Sequence, residues 1–200
     1  MGNTLNTLQL EQRFYPVYDE IDLLLQSEDS VILLGIDGNC GAGKSTLAKS
    51  IQEKYDCNLF HMDDFFLQPE QRTEKRLKEP GGNVDYERFL KEVVSRLLKG
   101  EEVIYRPYCC KTQTIESVQV IPFKRLNIIE GSYSLHPYFG DIYHKKIFLS
   151  IDFEDQVEMI RQREGEEKLK RFVKEWIPKE NEYFDTFDIR SGCLEVAWVR

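Results

Sequence analysis

The sequence predicts an α/β fold built on a parallel sheet with helices on both faces. Three observations carry this. Short, continuous apolar runs recur along the chain, as strands buried on both faces do. Segments with helical spacing alternate with them, which is the pattern of parallel sheets wound by crossover helices. The first apolar run, Val31 to Ile36, leads into a glycine-studded turn and then a helical segment, "VILLGIDGNCGAGKSTLAKSI". At 200 residues the chain is expected to form a single domain over residues 1–200, with room for a proper core.

Taken in order, Pro16 is placed to begin a helix with Val17, Ile21, Leu24 and Leu25 on one face. Val31–Ile36 is the first strand and Lys44–Tyr55 a helix whose buried side is Leu47, Ala48 and Ile51. Asn58–Met62 is a second strand. Gln68–Gly82, polar and ending in "EPGG", reads as a loop or lid. Asp85 is a good N-cap for a helix running to Lys99, with Gly100 as its stop. Val103–Tyr105 and Gln119–Pro122 read as strands around an irregular segment. Leu126–Ile129 and Lys146–Ile151 are further buried strands. Phe153–Arg163 and Leu169–Phe184 are helical, and the tail "CLEVAWV" packs as a short strand or extended segment.

Composition narrows the function. Hydrophobic residues make up 41% and charged residues 31%, the balance of an ordinary soluble globule. A net charge of −8 argues against general binding to nucleic acid or a membrane surface, both of which need a basic face. Met1–Leu10 lacks the basic start and apolar core of a targeting segment, and no apolar stretch is long enough for a bilayer span, so a cytoplasmic location is expected. The five cysteines, odd in number and without CxxC spacing, are expected as free thiols rather than disulfides or zinc ligands. The three histidines lack metal-ligand spacing.

The segment Gly38-Asn39-Cys40-Gly41-Ala42-Gly43-Lys44-Ser45 fits GxxxxGK[ST] and continues into Thr46. Glycines permit backbone angles that turn successive N–H groups inward, and the N-terminus of the following helix completes an anion cradle. Lys44 can reach the outer phosphates and Ser45 can ligate Mg²⁺. The loop therefore implies a nucleoside triphosphate, ATP with Mg²⁺. A GTPase would add NKxD and DxxG, and neither occurs.

A kinase of a small molecule needs an acceptor base, a second metal contact and mobile cations. Asp63 and Asp64 in "HMDDFF" stand at the end of the second strand, where ligands sit in open α/β sheets, and either could take the proton of an acceptor hydroxyl. Glu130 directly follows an apolar strand and could face the metal held by Ser45. Arg161 and Arg163, followed by Lys168, Lys170 and Arg171, offer positive charge on a polar segment suited to a closing lid over about residues 161–172.

"GIDGNCGAGKST", "HMDDFF", "NIIEGSY" and "SIDFEDQVEMIRQRE" occur in the order seen in the uridine kinase-like branch of P-loop kinases, which also includes phosphoribulokinase and pantothenate kinase. The chain resembles this branch over about residues 31–184. The resemblance implies a three-layer α/β/α fold with a five-stranded parallel core and a lid. It implies Asp63 as the general base, Glu130 as a magnesium contact, and Arg161 and Arg163 as lid arginines, with Arg171 further along the same segment. Asp85 and Tyr105 are the matches for a nucleoside pocket, and Arg171 and Glu180 could reach the site. The chain departs from the family where "YRPYCCKTQ" puts Cys110 near the place of a base-reading histidine. The implied function is ATP-dependent phosphoryl transfer to a hydroxyl of a nucleoside-like small molecule. Its rivals are a kinase of another metabolite, such as pantothenate or a nucleotide, and a regulatory protein that binds ATP without turnover. The oligomeric state, a homo-oligomer included, is left open.

Overall fold

The computed structural model of the chain describes residues 7–115 and 118–198. The polar stretch up to residue 6 and the last two residues of the tail lie outside the described residues. Five parallel strands form the central sheet: β1 (Ile32–Gly38), β2 (Cys57–His61), β7 (Leu126–Glu130), β8 (Lys145–Ser150) and β9 (Leu194–Ala197). Their spatial order is β2-β7-β1-β8-β9. β1 and β7 are buried along their whole length because helices cover both faces, which explains why they are mostly apolar, with Asp37, Asn127 and Glu130 as buried polar exceptions.

On one face, Phe14, Val17 and Ile21 of α1 (Thr7–Leu24) and Leu47 and Ile51 of α2 (Lys44–Lys54) pack on Ile32, Leu34 and Ile36. On the other face, Leu33, Phe60, Ile129 and Phe148 meet Phe89, Val93 and Leu97, together with Tyr183 and Phe184. Phe89 closes α4 (Tyr86–Phe89), Val93 lies in a π-type stretch over Leu90–Val94, and Leu97 closes α5 (Ser95–Leu97). A smaller apolar cluster of Ile160, Leu169, Phe172 and Ile177 joins α6 (Phe153–Glu164), α7 (Glu166–Arg171) and α8 (Ile177–Thr186). These are three layers with the core on both sides of the sheet.

The register decides what meets at the carboxyl edge. β7 lies between β1 and β2, pairing Glu130 with Ile36 on one side and with His61 on the other. β1 pairs with β8 on its far side, so the connections from β1 diverge at its carboxyl end. Ligand crevices form at such a switch point.

Several expectations change. α1 runs from Thr7 through Pro16 instead of starting there. A helix-interior proline forfeits one hydrogen bond, and burial of Phe14, Val17 and Ile21 on either side of it outweighs that loss. The segment Gln68–Gly82 is not a free loop. It contains a 3₁₀ turn at Pro69–Gln71 and α3 (Glu74–Lys78), the latter capped by Thr73. Arg76 ties it down through Gly82 O, Val84 O and Glu87. Val103–Tyr105 (β3) and Gln119–Ile121 (β6) pair with each other, antiparallel and apart from the main sheet, around a small hairpin of β4 (Tyr108–Cys109) and β5 (Thr114–Ile115). The helix expected over residues 169–184 is present, with a π-type stretch at Phe172–Trp176 just ahead of Pro178. The tail supplies β9, the edge strand of the sheet.

The burial pattern sets a stability test. Phe60, fully buried on β2, should cost about 3–5 kcal/mol when replaced by alanine. Leu98→Ala, at a side chain 53% exposed, should stay within about 0.5 kcal/mol of wild type. Urea unfolding midpoints of the two variants check both.

Candidate active site

The glycine-rich turn between β1 and α2 has the backbone its sequence demands. Gly38, Gly41 and Gly43 adopt φ values of 128°, 84° and 94°, in the region that side chains disfavour. At Gly38 a Cβ would also stand 2.1 Å from the Leu149 carbonyl, so only glycine fits. Gly43 caps α2 with no side-chain acceptor of its own, so the helix N-terminus faces the turn with donors that suit an anion. Lys44, 8% exposed, folds over the turn and donates to Gly38 O at 2.6 Å and Asn39 O at 3.2 Å. Ala42 is buried, whereas Ser45 and Thr46 are exposed at the head of α2.

Side chains from other elements hold this turn. Arg13 of α1 donates to Ala42 O at 3.0 Å. Gln156 of α6 donates to Cys40 O at 3.0 Å. Glu180 of α8 accepts from the Cys40 amide at 3.0 Å. Burial pushes the Cys40 thiol up, with Glu180 adding to the effect, so this cysteine is no nucleophile.

Asp37, the last side chain before the turn, is wholly buried. Its Oδ1 accepts from Gly38 N at 2.8 Å, and its Oδ2 from Leu135 N at 3.1 Å and the Tyr183 hydroxyl at 3.0 Å. Burial raises its pKa to about 6, against the opposing pull of Lys44 and these hydrogen bonds. Sequence reasoning passed over Asp37. An acid inside an otherwise apolar strand, "LLGIDG", was the available signal.

The acids named from sequence separate clearly. Glu130 is buried at the end of β7, and the Ser45 hydroxyl lies 3.4 Å from each of its oxygens. His61 Nδ1 lies 2.5 Å from Glu130 Oε1. That contact raises the His61 pKa against the opposing effect of burial. Among the described residues no group of three or more His, Cys, Asp or Glu is arranged to hold a metal. Magnesium needs no such cage: it binds through one or two carboxylates plus substrate phosphates, and the hard oxygens of Ser45 and Glu130 fit it.

Asp63 and Asp64 occupy a 3₁₀ turn at Met62–Phe65, directly after β2. Asp64 is engaged: its Oδ2 accepts from the Tyr105 hydroxyl at 2.6 Å. Among the described residues nothing bonds to the Asp63 side chain. Solvent reaches it, yet protein crowds it from below, and this loss of hydration, reinforced by Glu130, raises its carboxyl above the usual range. Lys44 and His61 pull the other way.

Other candidates land elsewhere. Tyr105 is buried, packs against Phe60 and Phe65, and braces Asp64, so it is a core residue and not an open pocket wall. Asp85 caps α4 by accepting from Arg88 N, while its other oxygen accepts from Gln71. Both oxygens are committed within the fold, which is the capping role its position allowed. Arg161 and Arg163 are not brought to the turn. They lie exposed near the end of α6, paired with Glu158 and Glu166 and with Glu164 respectively. The acid-rich sequence around them supplies those partners within a turn or so of helix. Arg171 is likewise exposed and paired with Glu175. Glu180 does reach the turn.

No family model and no curated protein sequence matches the chain. Solved structures do. A Bacillus stearothermophilus protein described as a possible uridine kinase superposes with a TM-score of 0.68 at 18% identity, covering 94% of this chain and 98% of its own. The protein YGR205w gives 0.60 at 15% identity, with coverage of 95% and 94%. YFH7 from Saccharomyces cerevisiae, a P-loop protein with a circular permutation, gives 0.58 at 14%, covering 92% and 99%. The chain thus has the fold of the P-loop kinases. No described helix is long and apolar enough to cross a membrane.

The two titrating groups beside Glu130 carry opposite pH signatures. His61, with its folded pKa raised, adds stability that is complete below its unfolded pKa of about 6.5 and lost as pH rises through the folded value. Asp63, also raised, subtracts stability at neutral pH and subtracts nothing below its unfolded value of about 3.9. Urea titrations should therefore show the deficit of His61→Ala shrinking as pH rises above 6.5. Asp63→Asn should be more stable than wild type at pH 7, by a margin that narrows on acidification.

Proposed function

We propose that the protein is an ATP- and Mg²⁺-dependent kinase that transfers the γ-phosphate to a hydroxyl of a nucleoside-like small molecule. The carrying observation is Asp63: an unengaged carboxylate with a raised pKa, close enough to feel the charge of both Lys44 and Glu130, at the same sheet edge as the glycine-rich turn. A raised pKa makes a stronger base for an alcohol proton. Phosphoryl transfer asks little covalent chemistry of the protein and much positioning, so one oriented base beside an anion cradle is sufficient machinery.

On this reading the amides of Gly38–Thr46 and the α2 N-terminus bind the phosphates. Lys44 exchanges its bonds to Gly38 O and Asn39 O for phosphate oxygens and neutralises charge as the bond to the leaving group lengthens. Ser45 and Glu130 would hold magnesium, which supplies further neutralisation of the phosphates. His61 fixes the orientation of Glu130. Asp63 orients the acceptor hydroxyl and takes its proton, and Tyr105 keeps Asp64 from competing for that role. Arg161 and Arg163 serve the γ-phosphate only if the segment over about 161–172 closes as a lid. Gly165, with φ of 81° between α6 and α7, is the joint that would let it turn. A cytoplasmic setting, where all five free cysteines stay reduced, suits this function.

One observation favours a second reading, a kinase of an anionic metabolite. Arg72 is exposed near the β4–β5 hairpin, bonded to Leu67 O and the Tyr108 hydroxyl, and no described carboxylate pairs with it. A guanidinium that no described carboxylate neutralises would suit a carboxylate or phosphate on the acceptor. Acceptor panels with ADP release as readout separate the two readings. ATP binding with no acceptor-stimulated release in either panel would favour a regulatory protein.

Lys44→Ala should lower turnover by about 100-fold or more while the chain still unfolds cooperatively. Asp63→Asn should lower kcat by about 10²–10⁴-fold with little change in ATP affinity. Steady-state kinetics beside calorimetric ATP binding checks both. Equal losses of turnover and affinity for Asp63→Asn would assign that residue a structural role instead.

A further inference from the structure

Glu180 engages the phosphate loop at a point the proposed mechanism leaves unused. It lies on α8 and is 4% exposed. Its Oε2 accepts from the Cys40 amide at 3.0 Å and its Oε1 from the Ser132 hydroxyl at 2.6 Å. One turn further along α8, the Tyr183 hydroxyl bonds Asp37 at 3.0 Å. A single helix thus grips both the strand end and the loop that follows it. Main-chain amides in such glycine-rich loops are phosphate donors, and here one of them is already taken by an anionic oxygen of the protein itself.

The place of Cys40 in the loop says which phosphate is concerned. Amides near the α2 N-terminus serve the inner phosphates. Cys40 lies toward the opposite end, joined through Glu180 to Ser132, two residues beyond Glu130. Tyr133, next to Ser132, is buried, and burial pushes its hydroxyl up, with the charges of Glu180, Asp37, Cys40 and Asp63 adding to the effect. On the proposed mechanism the outer phosphate must lie between the loop and Asp63 to meet a hydroxyl held there.

We propose that Glu180 is a specificity-determining residue: its carboxylate competes with the terminal phosphate for the Cys40 amide and so weakens triphosphate binding relative to diphosphate. The inference rests on the nucleotide-binding reading above and adds a charge-based discriminator to it. Two anions contending for one N–H repel whether the carboxylate stays or is displaced, and ADP, which lacks the third phosphate, escapes most of that cost. A carboxylate that only braced the loop would act through its hydrogen bonds and not through its charge.

Glu180→Gln separates the two roles, because the amide oxygen can still accept from Cys40 and the amide nitrogen can donate to Ser132. Calorimetric Kd values with Mg²⁺ would be measured for ADP and for the β,γ-imido analogue of ATP. Glu180→Gln should tighten the analogue by roughly tenfold relative to ADP. Ser132→Ala, which removes one hydrogen bond and keeps the charge, should leave that ratio as in wild type. An unchanged ratio in Glu180→Gln, or an equal shift in Ser132→Ala, overturns the proposal while nucleotide binding itself stands. Wild type that binds neither nucleotide overturns the nucleotide-binding reading and this inference with it. Should Glu180→Gln fail to fold, wild-type protein labelled with ¹⁵N-cysteine gives the same decision. The Cys40 amide resonance should move with the triphosphate analogue and not with ADP; equal movement, or none with either bound nucleotide, refutes the competition.

Discussion

A carboxylate with no exposed surface, Asp37, holds the working edge of the sheet together. It ends β1 and collects hydrogen bonds from Gly38 N, Leu135 N and Tyr183 Oη, which belong to the phosphate loop, to the turn after β7 and to α8. Taking such a group out of water is unfavourable unless its lone pairs are satisfied, so all three partners are fixed by one requirement. Lys44 supplies the nearby positive charge. Any shift of the loop, the turn or the helix would strip a partner from a buried acid, which is why three segments far apart in sequence keep one geometry.

The loop itself has little with which to hold its own shape. Glycines at φ of 84° and 94° give it the right turns but no side chains to anchor them. Beyond the bonds of Lys44 to Gly38 O and Asn39 O, the anchoring is external. Arg13, Gln156 and Glu180 seize its carbonyls and one amide from three different helices, and Asn39 N bonds Leu149 O across to β8. The remaining amides are held in place before any ligand arrives, which lowers the ordering cost of binding an anion.

Electrostatics then divides the neighbouring acids by environment. Glu130 is buried and in contact with His61 and Ser45; Asp64 accepts from a buried tyrosine; among the described residues nothing bonds to the Asp63 side chain. Adjacent residues of the same type thus sit in different environments because the 3₁₀ turn points them at different neighbours. Repulsion between Asp63 and Glu130 adds to the effect of lost hydration in raising the Asp63 carboxyl.

Local patterns in the sequence determined the strands, the α2 helix, the glycine turn and the acids at the strand ends, because each depends on residues close together in the chain. The apolar runs gave the buried strands, and GxxxxGK[ST] dictated its own backbone through steric rules on glycine. Even the tail "CLEVAWV" was legible as a short strand or extended segment, though not its place at the sheet edge beside β8. Tertiary structure alone decided the rest. Whether Pro16 starts a helix or rides within one depends on what Phe14 and Val17 pack against. Whether Asp85 and Tyr105 face a ligand or the protein depends on Gln71, Arg88 and Asp64, all non-adjacent. The arginines of α6 are drawn to local acids on the surface, and Glu180 reaches the loop only because α8 folds back across 140 positions of chain. Such contacts arise from three-dimensional closure, for which a linear pattern carries no signal.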